Sequence, residues 1–280
     1  MDNIYFLIKV IIMGIVEGVT EFLPISSSGH MIIIGYFIKF DGSTYNEAFV
    51  NMFEVVIQLG AILAIVVLYW DKIKKSLQTL LPVGNSGFKL WLNILIAFMP
   101  SAVIGLLVHK KVNLYLFKPL PVACAMVVGG LLLIFIENKY RKQSTTKSID
   151  NVSIKQSVLV GCFQCLSLWP GMSRSASTIM GAWIGGLSNV AAAEFSFFLA
   201  IPTMVAASFL ELIKTDFSKI SSLEIIGLGI GFIVAFIVAL LVVEKFVNFL
   251  KKKSMRVFAV YRILIGLVLL VLAFAKVIVL

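Results

Sequence analysis

Long apolar stretches decide most of what this chain can fold into. A helix crossing a bilayer needs roughly 17–25 largely apolar residues. Six segments qualify: Met52–Trp70, Leu90–Val108, Leu120–Ile136, Glu194–Ile213, Leu223–Val243 and Phe258–Leu280. With 60% hydrophobic and 14% charged residues in 280, there is too little polar surface to cover a water-soluble globule. The expected fold class is an all-α polytopic membrane protein, forming one membrane domain over 1–280.

Four further apolar segments are too short to span: Ile4–Val16, Met31–Ile38, Ser157–Trp169 and Ile179–Leu187. They form two pairs, each flanking a polar, proline-containing break, Leu23–His30 and Trp169–Ala176. This pattern predicts re-entrant helix hairpins, because irregular backbone at membrane depth survives only where protein buries it or it lines a wet cavity. The order is hairpin and three spans, twice over: repeat 1 over about 1–136, a cytoplasmic linker over about 137–156, and repeat 2 over about 157–280. At an offset of 147, Gly14 falls on Gly161, Glu17 on Gln164, Ser26 on Ser173 and Ser28 on Ser175. An odd number of spans per repeat makes the second copy inverted, which brings the two breaks together near the midplane.

The net charge of +10 is read here through membrane topology rather than as a nucleic-acid footprint. Loops 71–89, 137–156 and 244–257 carry 14 Lys and Arg, against 6 on the opposite face. The richer face is expected in the cytoplasm, with both termini and the mouth of the first hairpin outside. The first apolar run has no basic residues before it and no cleavage site of small residues, so it reads as retained. Cys162 and Cys165 form a C-x-x-C with no second pair, and read as small apolar helix residues rather than a metal or thiol-exchange site.

Ionisable groups within membrane segments are functional candidates. Glu17 and Glu21, four apart, put two carboxylates on one helix face, where they share a proton or bind a cation. The alternative is a pair of acids snorkelling to the surface. Ser26, Ser27, Ser28 and Gly29 supply hydroxyl and amide donors for anionic oxygen, and His30 stands where it could move a proton. The same hydroxyls could cap the following helix, with Ser28 or Gly29 as N-cap. Arg174, among Ser173, Ser175, Ser177 and Thr178, has the fork of donors that grips phosphate; the alternative is a structural pair with Glu17 or Glu21. Arg262 is as readily structural as functional. Gly227, Gly229 and Gly231 read as close-packing positions in a spanning helix. Two carboxylates, a histidine, hydroxyls and an arginine at the midplane are the set phosphoryl transfer asks for, on a substrate whose tail stays in lipid.

Residues Glu17 to His30, EGVTEFLPISSSGH, resemble the E-G-x-T-E-F-L-P-[IV]-S-S-T-G-H motif of the undecaprenyl-diphosphatase (bacitracin resistance) family. Pro170 to Ser175 is similar to its P-G-x-S-R-S motif, and Phe53–Gly60 and Glu194–Phe197 resemble further family stretches. Ser28 stands where the family usually has threonine, and Ala176-Ser177 where it has Gly-Ala. The resemblance implies a multi-pass enzyme of the bacterial plasma (inner) membrane. It would hydrolyse undecaprenyl diphosphate to the monophosphate, recycling the carrier lipid of cell-wall synthesis and giving bacitracin resistance when overproduced. It also implies dependence on a divalent cation, Mg²⁺ or Ca²⁺, and a site at Glu17, Glu21, Ser27, His30 and Arg174.

On this reading Ser26, Ser28, Ser173, Arg174, Ser175 and Thr178 bind the diphosphate. Glu17 and Glu21 hold the metal or activate a nucleophile. Ser27 attacks the terminal phosphorus, with direct attack by water left open, and His30 moves the proton. The expected partners are the prenyl diphosphate lipid and membrane lipid, not nucleic acid, and a homodimer is left open. The chief rival is a transporter or flippase of an anionic polyprenyl phosphate lipid, which needs to bind phosphate but not cleave it. An intramembrane serine protease using Ser27 and His30 would leave Arg174 without a role.

Overall fold

The computed structural model describes residues 2–42, 44–275 and 277–278. They fold into helices, with one isolated parallel bridge between Thr146 and Leu187. The α-helices are α1 (Asp2–Thr20), α2 (Ser27–Ile38), α3 (Glu47–Leu68), α4 (Trp70–Gln78), α5 (Ser86–Lys111), α6 (Pro119–Tyr140), α7 (Ile154–Gln164), α8 (Arg174–Ile184), α9 (Asn189–Lys214), α10 (Ser222–Leu250) and α11 (Arg256–Phe274).

Among the described residues seven helices, not six, are long and apolar enough to cross a membrane: α1, α3, α5, α6, α9, α10 and α11. The addition is α1. The apolar run Ile4–Val16 understates it, because the helix continues through Glu17, Gly18 and Thr20. Those residues extend the helix because protein shields them: Glu17 and Thr20 are buried, and the Thr20 hydroxyl bonds back to the Val16 carbonyl at 2.7 Å. The other spans run longer than their apolar cores, except that α11 ends at Phe274; Val279 and Leu280, the end of the expected last span, lie outside the described residues. Between α7 and the second break, Cys165–Leu168 forms a 3₁₀ turn.

Small residues set how closely the helices approach, as expected where lipid gives no hydrophobic drive between them. A Cβ on Gly14 would lie 2.9 Å from the Gly231 carbonyl, and one on Gly18 2.7 Å from that of Ala235, so α1 seats on α10. On the other side Gly161 seats α7 against the Ala97 carbonyl of α5. Of the three glycines at the start of α10, Gly227 and Gly231 pack on Phe6 and Phe53, whereas Gly229 has open space around it and is not a packing position. The result is a bundle in which two helices too short to span are packed against the longer ones, α2 on α1, α6 and α11, and α8 on α6, α7 and α9.

The candidate active site between the two breaks

Each break turns its chain through a serine in the left-handed region. Ser26 (φ 74°) precedes α2 and Ser173 (φ 65°) precedes α8, conformations that cost a non-glycine residue about 1–3 kcal/mol and recur at functional sites. Both serines are N-caps: Ser26 Oγ accepts from the Gly29 amide at 3.4 Å and Ser173 Oγ from the Ala176 amide at 3.3 Å. The cap of α2 therefore lies at Ser26, ahead of the expected Ser28 or Gly29, and Ser27 becomes the first residue of the helix. Gly171 (φ 100°) supplies the second turn, where a Cβ would collide with the Val122 carbonyl. Two helix N-termini thus converge on one place, which favours an anion there.

The breaks are joined by charge and hydrogen bonds. Arg174 Nη2 meets Glu21 Oε1 at 3.1 Å, and Ser27 Oγ donates to the other oxygen of the same carboxylate, Oε2, at 2.8 Å. Arg174 Nη1 donates to the Ser196 carbonyl at 2.9 Å and hydroxyl at 3.2 Å, while its buried Nε has no partner. Ser175 Oγ donates to the Leu23 carbonyl at 3.0 Å, tying the second break to the first.

A cavity of about 160 Å³ opens between them, many times the roughly 10–15 Å³ one water needs. Its wall carries Glu21, Ser26, Ser27, Ser28, Ser173 and Arg174 from the expected set. Pro170 and Gly171 of the second break also line it, and Gln58, Ser167 and Met204, not singled out as site residues by sequence, complete the wall. Gln58 had a signal, a polar side chain within an apolar span.

Four expected residues stand behind that wall. Ser175 and Thr178 are fully buried, and Thr178 Oγ1 bonds to Ser196 Oγ at 2.7 Å, so both brace the break from within. Glu17, 1% exposed, lies within side-chain reach of Glu21 and in the field of Glu54, and its Oε1 has no partner. His30 has both ring nitrogens engaged, Nδ1 at 2.7 Å from the Ser26 carbonyl and Nε2 at 2.9 Å from the Tyr261 hydroxyl. Arg262 is fully buried on α11 and donates through Nη2 to the Gly171 carbonyl at 2.7 Å, a structural hold on the second break.

Known proteins resemble this chain along nearly its whole length. A protein named undecaprenyl-diphosphatase from Clostridium novyi is 57% identical, with 99% of each chain covered. Those of the same name from Clostridium tetani and Thermoanaerobacter pseudethanolicus are each 53% identical, over 97% of this chain and 98% of theirs. The family model described as bacitracin resistance protein BacA matches residues 10–268, a stretch containing both breaks and every wall residue named above. The chain is a member of the bacitracin resistance protein BacA family.

Proposed function

We propose that the chain hydrolyses undecaprenyl diphosphate to undecaprenyl phosphate and inorganic phosphate in the bacterial plasma membrane, returning the carrier lipid to cell-wall synthesis. The relatives' shared name supports the substrate. The observation that carries the chemistry is the 2.8 Å hydrogen bond from Ser27 Oγ to Glu21, at the wall of a cavity that also presents Arg174. A hydroxyl held by a carboxylate, beside a fixed cation, is a nucleophile with its base and its charge stabiliser. A flippase needs the cation but has no use for the Ser27–Glu21 pair.

Ser27 Oγ attacks the terminal phosphorus in line as Glu21 takes its proton. The Oγ–P bond forms, the anhydride P–O bond breaks, and undecaprenyl phosphate leaves. Glu21 releases that proton to water. It then deprotonates the water that attacks the phosphoserine and returns the proton to Ser27, freeing phosphate. Arg174 holds the charge on the non-bridging oxygens, helped by the N-termini of α2 and α8. This division moves Glu21 toward the base, since both its oxygens already serve Arg174 and Ser27.

Among the described residues no three or more His, Cys, Asp or Glu side chains cluster as a ligand set, so a divalent cation would rest on Glu17, whose buried Oε1 lacks a partner, with its other ligands from substrate phosphate and water. Mg²⁺ usually binds through one or two carboxylates together with substrate phosphates. Glu17, adjoining Glu21, would hold it, and the ion would neutralise diphosphate charge.

The halves are read as an inverted repeat with the first hairpin entered from outside. Support comes from the paired left-handed caps Ser26 and Ser173, and from the crossed seating of α1 on α10 and α7 on α5 through Gly14 and Gly161. Phosphate release from a C55 or C15 prenyl diphosphate by the purified protein tests the activity. One phosphate per substrate, suppressed by EDTA, is expected; tight binding without release would favour the flippase.

A further inference from the structure

Tyr261 on α11 is 231 residues from His30 in sequence, yet its hydroxyl lies 2.9 Å from His30 Nε2, with the two rings nearly parallel at 11°. The other ring nitrogen fixes the direction of this bond. Nδ1 lies 2.7 Å from the Ser26 carbonyl oxygen, which can only accept, so Nδ1 carries a hydrogen. In the neutral ring Nε2 is then an acceptor, and the Tyr261 hydroxyl donates to it. His30 is therefore strung between α11 and the carbonyl of Ser26.

That carbonyl belongs to the peptide unit joining Ser26 to Ser27. Ser26 holds a left-handed conformation that needs outside support, and the orientation of this peptide decides where Ser27 starts α2. The next residue of α11, Arg262, grips the Gly171 carbonyl in the second break. One turn of α11 thus touches both breaks, one through His30 and one directly.

We propose that Tyr261 is a positioning residue for hydrolysis, acting through His30 to hold the Ser26–Ser27 peptide so that Ser27 faces Glu21 and the substrate. Neither Tyr261 nor His30 lines the cavity, so the effect falls on the reacting geometry rather than on substrate contact. The inference rests on the reading of Ser27 as nucleophile.

The test measures kcat and KM for a prenyl diphosphate with wild type, Tyr261→Phe, His30→Asn, the double variant and Ser27→Ala, with thermal unfolding of each in detergent. Asn at 30 can still donate to the Ser26 carbonyl but has no ring nitrogen for Tyr261. Tyr261→Phe should lower kcat about tenfold, the scale of one lost hydrogen bond, with KM and unfolding temperature unchanged. In the His30→Asn background the same substitution should cost nothing further. Unchanged kcat in Tyr261→Phe, losses that multiply in the double variant, a raised KM, or a loss matched by a lower unfolding temperature would each overturn the proposal. Ser27→Ala separates the two layers: wild-type rates there would remove the nucleophile reading itself, whereas an inactive Ser27→Ala beside an unaffected Tyr261→Phe removes only the positioning role.

Discussion

Arg174 and Glu21, separated by 153 residues, form an ion pair at 3.1 Å that joins the two breaks across the centre of the bundle. The pair ties the turn after α1 to the first residue of α8, and it keeps a guanidinium and a carboxylate in the wall of the cavity. On the proposed mechanism, a diphosphate entering there would compete with Glu21 for the guanidinium and leave the carboxylate to Ser27.

The three serines of the first break should separate cleanly. Ser27→Ala should lower kcat by about a thousandfold or more, as expected when a nucleophile is removed. Ser26→Ala removes an N-cap and should cost about 1 kcal/mol of stability with a partial loss of rate. Ser28→Ala should change little. Phosphate release and thermal unfolding on the three variants check this, and equal, modest losses at all three would point to water as nucleophile.

Arg174→Lys keeps the charge but not the fork that reaches Ser196 with Nη1 and Glu21 with Nη2. The variant should fold in detergent with near-normal stability and lose at least about a hundredfold in kcat/KM. Nearly full activity would mean that simple charge suffices.

The two glutamates should differ in kind. Glu21→Gln leaves Ser27 a hydrogen-bond acceptor without a base, so kcat should fall about a hundredfold or more at saturating cation. Glu17→Gln should instead raise the concentration of Mg²⁺ or Ca²⁺ needed for half-maximal rate. Titrating the metal after chelation distinguishes them, and activity of wild type in metal-free buffer would remove the metal role of Glu17.

Much of this site was legible in the sequence because its residues fall in two short polar breaks between apolar runs. What sequence missed depends on long-range packing. The extent of α1 was hidden because Glu17 and Thr20 look like a helix ending in polar residues, whereas other helices bury them. The cap at Ser26 was two residues early because serine rarely takes a left-handed conformation, and only the assembled break holds it there. The pairing of Tyr261 with His30 has no local signature at all, and the polar Gln58 in an apolar span marks itself as unusual without saying that it reaches the cavity wall.

Topology gives a prediction independent of chemistry. In a cysteine-free background, single cysteines at Thr44 and Asn113 should react with a membrane-impermeant thiol reagent on intact cells. Cysteines at Asn85, Thr145 and Lys252 should not. Labelling of the second group from outside would reverse the orientation and the side on which phosphate is released.

The most direct test of the central claim, that Ser27 with Glu21 attacks the terminal phosphorus, is the stereochemical course at that phosphorus. A prenyl diphosphate made chiral there with sulfur and oxygen isotopes, hydrolysed in isotopically labelled water, reports it. Attack by Ser27 followed by water is two in-line displacements and predicts retention of configuration. Inversion would show a single displacement by water and would contradict the account.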